Sequence, residues 1–267
     1  MFCNIFLLLT IDWWVDKIVS MENKDILFVV LLYKNDSFQV RAPYDLDILG
    51  KKMWQWVSLA GQGYDVKSTP CTKDSDVVKL VKPYLREQHQ YVVVLYSDTP
   101  LISKANVSEI LDYFKYHNLN VLKLKRGYVF DADYLKTCEG IMATENKLFD
   151  GDEFEPIDSY EKLYEVTKKL QKLILDFHSI NGVQILDKNT TYIDADVVIE
   201  KGCVIYPNNN IKGNSYLDEN VILEPNNVIK DSIISKNVIV RSSYVSNSRI
   251  SENVIVGPFE TVIDKNV

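Results

Sequence analysis

An aspartate closes one of the most apolar runs of the chain. In YVVVLYSDTPLIS, residues 91–103, apolar and aromatic residues lead into Ser97-Asp98 and then a turn at Thr99-Pro100. A carboxylate at the carboxyl end of a buried strand stands where open α/β sheets present groups to ligands. The same side chain can close a turn or cap the approach to the next helix, and residue types alone do not choose between the two. The three histidines, His89, His117 and His178, have no Ser, Cys or Asp motif beside them and read as surface or helix-end residues. Cys3, Cys71, Cys138 and Cys203 are scattered without CxxC pairing, which fits a reducing cytoplasm better than a disulfide framework or a zinc site. Gly61-Gln62-Gly63 follows a helix-like stretch rather than a strand, so it reads as a turn and not a phosphate loop.

The elements that must position Asp98 form an α/β pattern from Asp25 to about Phe130, with a mainly parallel sheet expected. Ile26–Tyr33, Tyr91–Ser97 and Val121–Lys125 are the predicted strands. Asp74–Gln88 and Ser103–His117 carry apolar residues at helical spacing, with Pro83 expected to end or kink the first. Ser159–Phe177 is the strongest helical pattern, with Leu163, Val166, Leu170, Leu173, Ile174 and Phe177 on one stripe and lysines opposite.

Past Asn181 the period changes. Ile193, Ile199, Ile205, Ile211, Leu217, Leu223 and Ile229 recur every six residues, each preceded two positions earlier by Thr191, Val197, Cys203, Asn209, Ser215, Val221 or Asn227. Residues two apart in an extended chain face the same side, so each hexad points one large aliphatic and one smaller residue inward. Three such rungs close a triangular coil. The series continues through Ile234, Val240, Val245, Ile250, Val256 and Val262 with five- and six-residue steps, predicting about four coils of a parallel β-helix.

With 267 residues, 46% of them hydrophobic, the chain can bury a full core and hold two domains. A net charge of −7 with no basic run argues against nucleic acid and anionic membranes as partners and leaves a small phosphorylated ligand open. The segment MFCNIFLLLTIDWWVD has no Lys or Arg before its apolar run and no small-residue cleavage site, and the run is too short to span a bilayer. Residues 1–20 are therefore expected to be an upstream extension, with Met21 as the natural start. The expected organisation is residues 21–158 as an α/β domain, 159–180 as a linker helix and 181–267 as the hexapeptide-repeat solenoid.

The run from Asn181 to Phe259, including its off-period steps and Gly257-Pro258-Phe259, resembles the junction of the two domains in the bifunctional N-acetylglucosamine-1-phosphate uridyltransferase/glucosamine-1-phosphate acetyltransferase family. LGKKMWQWV (49–57), LYSDTPLIS (95–103) and GYVFDADYL (127–135) are similar to further segments of that family. The resemblance implies a reduced nucleotidyltransferase-like α/β domain, a linker helix and a left-handed, trimeric β-helix. It makes Asp98 a ligand of Mg²⁺, with Asp158 at the second metal-ligand position before the linker helix, where Asp158 can also be the helix N-cap, and it sets Gly127 beside the sugar. It implies a nucleotide or a sugar-1-phosphate as ligand, and a place in UDP-N-acetylglucosamine metabolism. The family's Gly-rich triphosphate loop has no counterpart, since no glycine stands between Leu31 and Leu49. Its acetyl-CoA site and basic His lie in coils beyond Gly257–Val267, so acetyl transfer is not expected. Two functions of different class follow: a divergent uridylyl transferase with reduced or lost activity, or a non-catalytic trimeric scaffold or regulatory subunit.

Overall fold

The computed structural model describes residues 24–34, 42–72, 77–141, 145–146 and 151–267. The expected extension 1–20, the start at Met21 and the first residues of the helix expected from Asp74 lie outside these. The chain divides into two compact units, one of Met1–Asp47 with Lys52–Val166 and one of Ile48–Lys51 with Thr167–Val267.

In the first unit, β1 (Ile26–Tyr33), β2 (Asp65–Cys71), β3 (Tyr91–Tyr96), β4 (Val121–Leu124), β5 (Gly127–Asp131) and β6 (Glu145–Asn146) form one sheet in the order β2-β1-β3-β5-β4-β6. β1 runs parallel to β2 and β3, whereas β5 is antiparallel to both β3 and β4. The sheet is thus mixed, for a local reason: only Lys125 and Arg126 connect β4 to β5, and so short a link permits only a hairpin.

Side chains alternate between two cores. Ile26, Phe28, Val30, Val93 and Leu95 pack with Val57 of α1 (Met53–Leu59) and with Val107, Ile110 and Phe114 of α3 (Lys104–Tyr116). Leu27, Val29, Leu31, Val92 and Val94 pack with Val77 and Val81 of α2 (Val77–Val81) and with Leu135 of α4 (Ala132–Thr137). Because both faces are covered, β1 and β3 read as continuous apolar runs. α2 is shorter than its pattern suggested and passes into a 3₁₀ turn at Lys82–Tyr84 that contains Pro83. β2 escaped the pattern because DVKSTPC is polar and holds Pro70; as an edge strand paired only with β1, it tolerates the missing N–H.

α5 (Tyr160–Ile180) follows, and in the second unit it buries Leu170, Gln171, Ile174, Leu175 and His178. This stripe is rotated from the expected one, since Leu173 and Phe177 are only half-buried. Gln171 replaces an apolar residue there because its amide donates to the Thr191 carbonyl at 2.6 Å.

From Gln184 onward, short parallel strands stack into three sheets, a parallel β-helix. Along one sheet Tyr192, Asn210, Val228, Tyr244 and Thr261 are successive partners, 18 residues apart in the first two steps and 16 and 17 in the last two. Every predicted inward residue is buried, both the aliphatic series from Ile193 to Val262 and the smaller series from Thr191 to Asn227. Corners fall on residues with left-handed backbone such as Asn208 (φ 63°), Asn226 (φ 67°) and Asn253 (φ 60°), where asparagine is among the few tolerated side chains. Inside the coils polar residues form ladders. Asn209 Oδ1 accepts the Asn227 backbone N–H at 3.1 Å, and Asn227 Oδ1 accepts that of Ser243 at 2.8 Å. Ser215 Oγ accepts from the Ser232 N–H at 3.3 Å, and Ser232 Oγ from that of Ser248 at 3.1 Å. No helix of the described residues is long and apolar enough to cross a membrane.

Candidate functional site at the carboxyl end of β3

The carboxyl ends of β1 and β3 are tied together by Ser97, whose Oγ accepts the Tyr33 backbone N–H at 3.2 Å. The turn after β3 closes with Thr99 Oγ1 donating to the Tyr96 carbonyl at 3.1 Å, and α3 is capped by Ser103, which accepts from the Asn106 N–H at 3.2 Å. With those tasks met by neighbours, Asp98 lies almost fully buried at 2% exposure. Its carboxylate takes a two-point contact from Arg126, Nε donating to Oδ1 at 3.2 Å and Nη2 donating to Oδ2. The guanidinium lies over the Tyr96 ring at 4.1 Å and the Tyr33 ring at 5.1 Å, so two aromatic faces fix its plane.

Sequence reasoning named Asp98 and missed Arg126. Lys125-Arg126 is a hairpin turn with no motif of its own, and only the antiparallel seating of β5 against β3 brings it to Asp98. A signal was available in the two adjacent strand patterns with a two-residue gap, which demand a hairpin.

Asp158 lies in the segment beside this strand end, because the neighbouring Ile157 N–H donates to the Asp98 carbonyl at 2.8 Å. Its side chain is exposed and pairs with Lys162 at 3.0 Å. The expected cap role belongs to Ser159, whose Oγ accepts the Lys162 backbone N–H at 3.3 Å. In the same segment Glu155 pairs with Lys125, and Glu153 accepts from the Asn106 amide at 3.1 Å. Gly127 is buried opposite Leu95, with φ at +154°, and a Cβ there would collide with the Val94 carbonyl oxygen. The requirement for glycine at this position is therefore one of strand packing.

Do these residues suit Mg²⁺? That ion needs near-octahedral oxygen ligands at about 2.0–2.1 Å. Asp98 turns both oxygens to a guanidinium, Asp158 is engaged by an ammonium, and among the described residues no three His, Cys, Asp or Glu side chains are grouped to hold a metal. The arrangement does not fit the ion.

His89 and His178 are buried; His178 keeps the expected helix-end position, in the last turn of α5, whereas His89 is neither at the surface nor in a helix. His178 is buried, and loss of hydration lowers its pKa to about 4. His89 is buried at the opposite, amino-terminal end of the parallel strands; its Nδ1 accepts the Arg86 N–H at 3.0 Å, and its Nε2 faces Asp65 Oδ2 at 3.3 Å. Burial lowers the His89 pKa and outweighs the opposing pull of Asp65. Burial also pushes the Asp65 carboxyl up, but Lys67, Arg86 and His89 together hold it below the usual range. These groups are remote from Asp98 and explain local packing.

No family model matches the chain. It is 37% identical over 142 residues to the bifunctional protein GlmU of Clostridium acetobutylicum, a match covering 51% of this chain and 31% of that protein. Against the GlmU of Clostridium kluyveri the identity is 42% over 116 residues, covering 42% and 25%. Against that of Clostridium tetani it is 44% over 103 residues, covering 39% and 23%. The chain thus shares GlmU-like sequence over about half its length, and spans less than a third of the curated relatives it matches. Among solved structures, Rv0371c from Mycobacterium tuberculosis H37Rv aligns with a TM-score of 0.40 at 11% identity, covering 54% of this chain and 98% of that one.

Proposed function

We propose, from this kinship with the GlmU proteins, that the chain is a divergent sugar-1-phosphate nucleotidyltransferase-like protein of UDP-N-acetylglucosamine metabolism. In this reading its α/β unit has lost magnesium-dependent transfer, and its solenoid serves as a homotrimeric scaffold. The observation that carries it is the buried Asp98–Arg126 pair: the carboxylate expected to meet a metal–phosphate group at this strand end is already neutralised by a cation of the same chain. Assembly is supported by an outward row on the solenoid, where Val204, Ile222, Ile239 and Ile255 are successive partners along one sheet and Ile255 is 54% exposed. Such a row of aliphatic side chains is suited to burial against other copies of itself. A cytoplasmic location belongs to the same reading and is supported by the free thiols of Cys71, Cys138 and Cys203.

The test has two arms. Sedimentation equilibrium is expected to give three times the chain mass, with Ile239→Asp shifting it to monomer; a wild-type monomer at high concentration removes the scaffold role. Pyrophosphate release from UTP and N-acetylglucosamine-1-phosphate with Mg²⁺ is expected to stay at background. Turnover on the order of 1 s⁻¹ or above overturns the loss of transfer.

A second reading, active uridylyl transfer, is favoured by the Ile157–Asp98 backbone contact, which draws the Asp158 segment to the strand end as a two-carboxylate site requires. In that reaction a sugar-1-phosphate oxygen attacks the α-phosphorus of UTP, a new P–O bond forms, and the bond to the β-phosphate breaks to release pyrophosphate. The same pyrophosphate assay decides between the two.

A further inference from the structure

We propose that Arg126 is a resident cation at the carboxyl end of β3, so that this site excludes divalent metal. The inference deepens the reading of the α/β unit as derived from a nucleotidyltransferase. Its starting point is the bidentate contact: Asp98 presents both oxygens to one guanidinium fork, with Nε at 3.2 Å from Oδ1 and Nη2 on Oδ2. A fork of this shape matches a carboxylate in plane, and its charge persists at every accessible pH because arginine does not deprotonate.

Three further features hold the guanidinium in place. It rests on the rings of Tyr96 and Tyr33, the Tyr33 backbone is pinned to Ser97, and the Asp98 carbonyl is held by the Ile157 N–H. For Mg²⁺ to reach Asp98, Arg126 would have to leave both rings, and a doubly charged ion would then occupy a 2% exposed position beside a stranded guanidinium. Mg²⁺ also gives up its water reluctantly, whereas a guanidinium is weakly hydrated and suited to such a place. Two neighbouring acids also have lysine partners, Glu155 with Lys125 and Asp158 with Lys162, though these pairs lie at the surface. Asp98 with Arg126 sums to zero charge without any metal, whereas Asp98 with a divalent ion alone would leave a net positive charge in a buried place.

The experiment uses Mn²⁺ as a paramagnetic probe on the full chain, with free Mn²⁺ read by electron paramagnetic resonance. Wild type is expected to take up no stoichiometric Mn²⁺ at millimolar concentration. Arg126→Gln, which keeps an N–H donor but removes the charge, is expected to bind one Mn²⁺ per chain at least about tenfold more tightly than wild type. Adding Asp98→Asn is expected to abolish that site. A wild-type one-to-one complex that Asp98→Asn removes overturns the proposal, as does a folded Arg126→Gln that gains no site. If Arg126→Gln does not fold, Arg126→Lys supplies the same comparison: its single ammonium covers one oxygen in place of two, so it should bind Mn²⁺ measurably, and failure to do so while folded again overturns the proposal. Because the readout is metal uptake, a negative result here leaves the trimer and pyrophosphate assays standing, and failure of those assays leaves this one interpretable.

Discussion

The solenoid and the α/β unit handle buried polar groups in opposite ways. In the solenoid, Asn209, Asn227, Ser215 and Ser232 are buried and neutral, and each satisfies a backbone N–H of the next coil. In the α/β unit, Asp98 is buried with its charge and is gripped at two points by Arg126 from the hairpin turn between β4 and β5. A ladder of neutral groups spreads its satisfaction over many short contacts, whereas a buried ion pair concentrates it in one, and removal of one partner leaves an uncompensated charge. The repeated region should therefore be sensitive to what enters its interior, and the α/β unit to what leaves its rim.

The largest effect is expected from putting a charge into a rung. Ile205 is fully buried, and Ile205→Asp should cost about 4 kcal/mol or more, whereas Asn208→Asp at an exposed corner with φ 63° should cost about 1 kcal/mol or less, the loss of its amide contact to Asn226. Urea unfolding measures both, and equal effects would break the inside-outside assignment. Next is Asp98→Ala, expected to cost about 3 kcal/mol by removing the carboxylate that balances the Arg126 charge. Read as an unpaired carboxylate, Asp98 would instead be neutral or stabilising to remove, so the sign of the change tests the ion pair directly.

A pH effect follows in size. His178 titrates near 6.5 in the unfolded chain and at about 4 when folded, because burial disfavours its charged form. Between those values the unfolded chain binds the extra proton, so the contribution is complete above about pH 6.5 and is lost as pH falls toward 4, up to about 3 kcal/mol. His178→Leu should flatten this part of the acid limb in thermal unfolding; an unchanged slope contradicts the buried neutral imidazole. The smallest effects separate a cap from a surface pair. Ser159→Ala should cost about 1 kcal/mol, and Asp158→Ala, which breaks an exposed contact to Lys162, about 0.5 kcal/mol or less. The reverse order in denaturant unfolding would return the cap to Asp158.

How much of this was readable beforehand differs between the regions for a physical reason. In the solenoid each coil repeats the same environment, so spacing alone identified Ile193 through Val262 as interior, and burial bears it out. In the α/β unit, β1 and β3 were legible as long apolar runs, but β2 was hidden by its polar edge-strand composition and Pro70. Asp98 was legible because a carboxylate after an apolar strand is anomalous in its own sequence neighbourhood. Arg126 was not, because nothing local to a hairpin turn says which strand lies beside it. Burial of His178 and Gln171 was missed likewise, since helical periodicity ranks polar residues outward and tertiary contacts overrode it.

The interior ladders point one way along the chain. Asn209 serves Asn227, Asn227 serves Ser243 and Ser243 serves Glu260, in each case by offering a side-chain oxygen to the backbone of the coil that follows. The side-chain ladder is therefore polar in its dependencies: each oxygen satisfies an N–H of the coil after it, while the strand N–H groups themselves reach forward to carbonyls of the next coil. Damage at Asn209 should be recorded not at Asn209 but one coil downstream, as faster amide exchange at Asn227, and the successive steps of 18, 16 and 17 residues remain in phase because each oxygen marks where the next turn must arrive.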